Sequence, residues 1–175
     1  MSTFRILSTA AALAALAACQ QGAELEMPWG RTAAPAEQSL AAQCASDPTI
    51  SAQLDSAVNA ARQAEGKTLL DSAPLLAQAA QSHACDMAQR GRLDVEGSNG
   101  SSVVDRARAV GYPACGVVQL VSRGGGPAQA VSGWLGTEAQ RTELLGQTSR
   151  QVGSGSAQGA NGMTYYSVVL GDNCA

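Results

Sequence analysis

Histidine is nearly absent from this 175-residue chain, which contains a single one, His83. Zinc sites that use histidine have at least two of them in most arrangements. The five cysteines include no C-x-x-C pair, the spacing typical of thiolate metal sites. The sequence therefore predicts no metal and no other cofactor, and metal binding by the thiols is the less favoured alternative.

Aromatic and charged side chains are also scarce. Aromatic residues make up 3% of the chain, charged residues make up 14%, and the formal net charge is −3. Single-stranded nucleic acid is bound on aromatic platforms, and long-range attraction to nucleic acid or anionic lipid needs clustered Lys and Arg. Because the sequence has neither feature, nucleic acid is not expected as a partner.

The N-terminus has the pattern of an export signal over residues 1–18. Arg5 is the only charge before a Leu/Ala run that is too short to span a bilayer permanently. The run ends in Leu16-Ala17-Ala18-Cys19, which resembles the bacterial lipobox and implies acylation of Cys19. Gln20 follows this cysteine, which implies an outer-membrane lipoprotein facing the periplasm. An ordinary signal peptide cleaved near Ala18 is the alternative.

The mature chain divides into a tether and one domain. Residues 19–46 contain prolines and small residues without a hydrophobic period, so they are predicted to be a lipid-anchored tether. Residues 47–175 are predicted to form a single domain, since about 130 residues can bury an adequate core. The expected contact with the membrane is through the lipid on Cys19.

Export makes the remaining cysteines candidates for disulfides. Cys44, Cys85, Cys115 and Cys174 would meet an oxidising periplasm. Four cysteines allow three connectivities. The residues alone leave the choice among them open.

Helix signals occupy most of the first half of the domain. Asp47-Pro48 is an N-cap and first-turn proline for a helix reaching Gly66, and Asp71 or Ser72 is predicted to cap the next helix. Ser101 or Ser102 is predicted to cap a short helix through Arg108. An apolar stripe at three- and four-residue steps marks the second helix: Leu76, Ala80, His83, Ala84, Met87 and Ala88.

The second half mixes strands and helices. Residues 117–121 read as a strand, Pro127 opens a helix that Thr137 restarts, and residues 151–171 alternate as a hairpin around Asn161-Gly162. Helices on both sides of a small sheet predict an α+β fold, a three-layer α-β-α sandwich.

An ordered series of short motifs resembles the CAP superfamily of cysteine-rich secretory, antigen 5 and pathogenesis-related proteins, and its bacterial SCP-like branch most closely. The resemblance covers about residues 50–171. It implies the same sandwich, with a small and mainly antiparallel central sheet. Its motifs are residues 59–62, 83–88, 97–102, Asp105-Arg106, Gly111-Tyr112, 133–135, Arg141, Leu144-Leu145 and the strand around Tyr165, Tyr166 and Val169.

The resemblance also implies a disulfide pairing. Relatives often carry the segments matching His83-Ala84-Cys85 and Gly111-Tyr112-Pro113-Ala114-Cys115 together. On this basis Cys85 is expected to pair with Cys115. Cys44 would then pair with Cys174 and join the two ends of the domain.

Members of the superfamily often hold a divalent metal with two histidines and two acidic residues at the floor of a cleft. In this chain Val95 falls where the first histidine is expected, Gln119 where a glutamate is expected, and Gln140 where the second histidine is expected. The resemblance therefore implies a degenerate metal tetrad, with Val95, Gln119 and Gln140 lining the cleft floor. Gln140 also fits a capping box with Thr137.

Catalytic interpretations are weaker. His83 lies on the apolar stripe, which favours a packed, hydrogen-bonded histidine over a general base. Gly153-Ser154-Gly155 lies in the predicted hairpin rather than on a strand-to-helix elbow, and Asp94 and Glu96 read as solvated loop carboxylates. No catalytic residue is predicted.

The sequence thus predicts a lipid-anchored envelope protein whose domain is a non-catalytic binding module for a small apolar ligand or an envelope protein. An envelope hydrolase of unknown substrate and a structural scaffold lipoprotein are the alternatives.

Overall fold

The computed structural model describes residues 42–174. The predicted signal peptide, Cys19 and the tether as far as residue 41 lie outside the described residues. Within residues 42–174, no helix has the length and apolarity needed to cross a membrane. The helices are α1 Pro48–Ala64, α2 Pro74–Arg90, α3 Val103–Ala109, α4 Pro127–Leu135 and α5 Glu138–Leu144; the strands are β1 Asp71–Ser72, β2 Ala114–Arg123, β3 Gln151–Gln158 and β4 Thr164–Asn173.

The four strands form one sheet in the order β1-β3-β4-β2. β4 pairs with both β2 and β3 in antiparallel fashion, and the two-residue strand β1 pairs parallel to β3. The expected α+β class with a mainly antiparallel sheet is confirmed.

Alternation along β4 divides the core between two helical layers. Tyr166, Val168 and Leu170 are buried in one cluster, with residues of α1, α4 and α5. Tyr165 and Val169 belong to clusters on the other face, with residues of α2 and α3. Because successive strand residues face opposite sides, the sheet is the middle layer of a three-layer sandwich, as predicted.

Most helix starts follow their capping signals. Asp47 Oδ1 accepts hydrogen bonds from the backbone N–H groups of Thr49 (2.9 Å) and Ile50 (3.2 Å) at the start of α1. Ser102 and Asp105 form a reciprocal capping box on α3. Both agree with the sequence signals.

The predicted cap of α2 is wrong. Asp71 and Ser72 form β1, and the N-cap position is Ala73. The Asp71 N–H donates to the Arg150 carbonyl (2.9 Å), and the Ala73 N–H donates to the Val152 carbonyl (2.8 Å). Pairing with β3 therefore keeps this segment extended until Pro74, whose fixed φ opens the helix.

The predicted hairpin is present as β3 and β4, and Gly162 in its turn has φ +74°. β3 continues through Gly153 and Gly155 as far as Gln158. A Cβ on Gly153 would lie 2.1 Å from the Ala77 nitrogen, and one on Gly155 would lie 2.4 Å from the Gln81 Cα. These two glycines let the backbone of α2 lie directly on β3.

The expected disulfide pairing is wrong. Cys44 is bonded to Cys85 with a Cα–Cα distance of 5.7 Å, and Cys115 is bonded to Cys174 with a Cα–Cα distance of 5.2 Å. Antiparallel pairing of β2 with β4 brings Ala114 opposite Asn173, so the start of β2 meets the end of the domain. Cys85 is buried in a different cluster, beside Ala42, which leaves it within reach of Cys44.

Candidate functional site

The loop 92–100 between α2 and α3 carries the first predicted site residue, Val95. Three buried side chains form hydrogen bonds with this loop: His83 and Asp86 on α2, and Arg106 on α3. Their contacts determine what the site can do.

His83 is a structural residue. Its side chain is 1% exposed, and Nε2 lies 2.6 Å from the Asp94 carbonyl oxygen, so Nε2–H is the donor. Burial lowers the pKa of His83 to about 4, with the positive charge of Arg106 as the second cause. A neutral imidazole closed in by the Asp94 backbone has no access to a substrate, in agreement with the helix-stripe interpretation.

Asp86 binds the other end of the loop. Its Oδ2 accepts from the Ser98 N–H (2.7 Å) and its Oδ1 from the Ser98 hydroxyl (2.5 Å). The Asp86 side chain is buried, with 5% exposure of the residue. Hydrogen bonds to an ionised group are among the stronger ones, so residue 98 is held firmly against α2.

Arg106 connects the loop to the sheet. Nη1 donates to the Ser101 carbonyl (2.7 Å) and hydroxyl (3.0 Å), and Nη2 donates to the Val95 carbonyl (2.8 Å) and to Gln119 Oε1 (2.5 Å). Gln119 Nε2 in turn donates to the Ser167 hydroxyl (2.8 Å). Burial lowers the pKa of Arg106 to about 10, which leaves it protonated at neutral pH.

The three predicted cleft residues have different surroundings. Val95 is 52% exposed and meets the network through its backbone carbonyl, whereas Gln119 is buried with both amide atoms hydrogen-bonded. Gln140 is half-buried on α5, and no hydrogen bond among the described residues joins it to the other two. Arg106 thus brings Val95 and Gln119 together and leaves Gln140 apart.

The predicted capping box at Gln140 does not form. The Thr137 N–H donates to the Trp134 carbonyl (3.3 Å) at the end of α4, and Thr137 makes no side-chain cap. Because the connection between α4 and α5 is short, the Thr137 N–H is already bonded to the Trp134 carbonyl and is not available to the Gln140 amide.

The family's metal does not fit the residues present. An isopropyl group stands at position 95, and the amide at position 119 has its oxygen on Arg106. Within residues 42–174, no three His, Cys, Asp or Glu side chains are grouped to hold a metal ion.

Two cavities open along α2. We call the first the N-terminal cavity; its volume is about 420 Å³ and it has no charged lining residue. We call the second the loop cavity; its volume is about 460 Å³ and most of its polar lining is charged. The N-terminal cavity is lined by Ala42, Gln43, Cys44, Ser46, Pro48, Ser51, Ala77, Gln78, Gln81, Ser82 and Ser154. The loop cavity is lined by Asp86, Met87, Arg90, Arg92, Asp94, Glu96, Gly97, Ser98 and Gly100.

The N-terminal cavity depends on residues that the sequence analysis did not single out. Residues 42–46, assigned there to the tether, form one wall, and Ala42 is buried against the domain. Gln81 supports the opposite wall, because its amide exchanges hydrogen bonds with the Ser156 backbone at 2.9 and 3.0 Å. Ser82 is 6% exposed, and its hydroxyl has no hydrogen-bond partner among residues 42–174. Gln81 and Ser82 lie outside the apolar stripe that marks α2, so the sequence pattern contained no signal for this cavity.

Comparison with known families decides the relationship. The profile of the cysteine-rich secretory protein family, CAP, matches residues 56–170. The chain belongs to the CAP family. The match spans the sandwich from α1 to β4, including the loop 92–100 and both residues of the Arg106–Gln119 pair. A comparison with curated proteins finds no match.

Solved structures share this CAP fold at low sequence identity. An outer surface protein of Borrelia burgdorferi superposes with a TM-score of 0.66 and 13% identity, covering 75% of this chain and 99% of that one. An extracellular SCP-domain protein of Bacillus anthracis gives 0.62 and 17%, covering 71% and 41%. A cysteine-rich secretory protein of Staphylococcus aureus gives 0.55 and 17%, covering 73% and 39%. This chain therefore spans about two fifths of the length of the last two.

Proposed function

We propose that this CAP protein is an exported, lipid-anchored envelope protein whose domain is a non-catalytic binding module. The ligand is a small, largely apolar molecule held in the N-terminal cavity. The observation that carries this proposal is an uncharged cavity of about 420 Å³ beside the buried hydroxyl of Ser82, which has no hydrogen-bond partner in the described part of the chain. Pockets for small molecules combine apolar walls with a few polar groups that orient the ligand.

The chemistry of the described residues supports binding rather than catalysis. His83 is neutral and occupied by the Asp94 carbonyl, and Gln119 is occupied by Arg106 and Ser167. Ser154 donates to Asp55 Oδ1 (2.5 Å), and the one imidazole of the chain, His83, is hydrogen-bonded to the Asp94 carbonyl instead. A hydrolase would need a nucleophile and a base that these contacts do not supply.

Export and lipid anchoring are supported by separate observations. Two disulfides suit an oxidising compartment. Leu16-Ala17-Ala18-Cys19 has the lipobox pattern, and Gln20 is consistent with the outer membrane. Proteins described as outer surface or extracellular share the fold.

The test is native mass spectrometry of the full chain, exported by a bacterium, extracted in detergent and analysed for metal on the same sample. We expect a mature chain that begins at an acylated Cys19, a small organic adduct and no zinc. Ala77→Leu should remove the adduct, because Ala77 lines the cavity. Ala139→Leu, at an exposed position on α5, is the control and should retain it.

Other results would redirect the proposal. Stoichiometric zinc would contradict the degenerate tetrad. A chain without an adduct in every preparation would favour the scaffold alternative and a protein partner. A mature chain that lacks acyl groups would contradict the lipid anchor, whatever the state of the cavity.

A further inference from the structure

The loop cavity has a wall that is fixed before any ligand arrives. His83 holds the Asp94 carbonyl, Arg106 holds the Val95 carbonyl, and Asp86 holds Ser98. Three buried side chains thus fix successive points of the segment that contributes most of the lining. A preformed wall lowers the ordering cost of binding.

Two oppositely charged residues of α2, Asp86 and Arg90, do not form an ion pair with each other. Asp86 and Arg90 are four residues apart, the helical spacing at which Asp and Arg form ion pairs. The described residues contain two ion pairs, Arg92–Asp94 and Arg141–Glu65, and neither includes Asp86 or Arg90. Ser98 occupies both oxygens of Asp86, which keeps the carboxylate on the loop side. The Arg90 guanidinium has no hydrogen bond or ion pair within the described part of the chain.

The loop adds one further unpaired charge to the cavity. Asp94 is neutralised by Arg92 at 2.7 Å. Glu96 uses its backbone N–H to donate to Asp94 Oδ1 (3.1 Å), and its carboxylate has no partner among residues 42–174. The charged side chains of this cavity that lie outside the Arg92–Asp94 pair are Asp86, Glu96 and Arg90. Asp86 is buried and also faces the positive charge of Arg106, whereas Glu96 and Arg90 are exposed at the mouth of the cavity.

We propose that the loop cavity binds a small zwitterion of the amino-acid class, with its ammonium group at Asp86 and Glu96 and its carboxylate at Arg90. A carboxylate has about four acceptor positions, so Asp86 retains capacity beyond its two bonds to Ser98. Arginine binds carboxylates in a bidentate manner. A simple anion would meet two carboxylates, and a simple cation would leave Arg90 unpaired.

This site is independent of the proposed function. The loop cavity and the N-terminal cavity share no lining residue. An empty N-terminal cavity would leave this inference unchanged. A loop cavity that binds no zwitterion would likewise leave the proposed function unchanged.

The experiment is a titration of the full chain in detergent, followed by calorimetry and by amide NMR. The probes are alanine and alanyl-alanine; N-acetylalanine and alanine amide are matched controls that each lack one charge. We expect the zwitterions to bind and to shift the amide signals of residues 96–100. Either capped probe should bind at least about tenfold more weakly, since a hydrogen bond to a charged group is lost.

Variants test the assignment of each end. Arg90→Gln and Glu96→Gln should each weaken zwitterion binding about tenfold or more. Arg108→Gln and Glu138→Gln, at exposed positions outside both cavities, should leave it unchanged. The inference is overturned if the zwitterions do not bind at millimolar concentration, if capped probes bind equally well, or if the shifts and losses occur only away from the loop.

Discussion

Gln119, which the family resemblance places at a metal-tetrad position, has both of its amide atoms in structural hydrogen bonds. A glutamate there would form a buried ion pair with Arg106, whereas the amide accepts from Arg106 and also donates to Ser167. Arg106 is consequently a buried cation bound by neutral oxygens of Ser101, Val95 and Gln119. Burial lowers its pKa to about 10, and the nearby charges of Asp86 and Asp105 offset only part of this effect.

His83 should make the protein acid-sensitive. Its pKa is about 4 in the folded state, below the usual 6.5, because burial disfavours the imidazolium. Above pH 6.5 both states are neutral; as pH falls, the unfolded chain takes up the proton first, so stability is lost between pH 6.5 and 4. By pH 5 the loss in unfolding free energy should be about 2 kcal/mol.

His83→Gln provides the comparison, since its amide can donate to Asp94 and does not titrate. The measurement is the free energy of urea unfolding of both proteins at pH 7 and pH 5. The contribution of the carboxylates is the same in both proteins, so the difference between them reports on His83. The same pH dependence in the two proteins would contradict the account of His83.

At the scale of elements, the packing of α2 on β3 depends on two residues that lack a side chain. The sequence predicted α2 because its apolar period and Pro74 are local signals. It did not predict β1, whose two residues become a strand only by pairing with β3, nor the role of Gly153 and Gly155, which depends on the distance of a helix from a sheet.

Gly155→Ala should destabilise the domain by about 1–3 kcal/mol or more, because the new methyl group would meet the backbone of α2 at Gln81. Gly133→Ala is the matched control. Apart from its chain neighbours and the adjacent backbone of α4, no atom of the described residues lies within 4 Å of its Cβ position, so helix propensity should stabilise the domain by up to about 1 kcal/mol. Midpoints of urea unfolding measure both effects. Equal midpoints for Gly155→Ala and the unsubstituted protein would show that α2 shifts away from β3 without loss of stability.

At the scale of the whole molecule, the family, the three layers and most of the helices could be predicted from the sequence, whereas the disulfide pairing could not. The order of motifs determines the family, and alternation along residues 164–170 indicates a sheet with two covered faces. Pairing instead depends on which strand ends meet, and Cys115 meets Cys174 through the antiparallel register of β2 and β4. The loop cavity was also out of reach, because Asp86 and Ser98 are neighbours only after folding.

The two disulfides should contribute similarly to stability and differently to structure. Their loops span 41 and 59 residues, so removing either should cost about 4 kcal/mol by the chain-entropy model. The double variant Cys44→Ser/Cys85→Ser should also release residues 42–46, which hydrogen exchange or limited proteolysis will detect. Cys115→Ser/Cys174→Ser is the control and should leave that segment protected; equal exposure in both variants would contradict this role.

The bond between Cys44 and Cys85 also decides how the domain would respond to mechanical load. A pull on the chain ahead of Ala42 is transmitted directly to α2 and the sheet, because Cys44 is joined covalently to α2, and α2 packs on β3. The 41-residue loop closed by this bond contains all of α1. Tension therefore bypasses α1, and the pull does not unfold this helix from its N-terminus. Under the lipid anchoring proposed above, such a load would enter the domain through α2, ten of whose residues are buried.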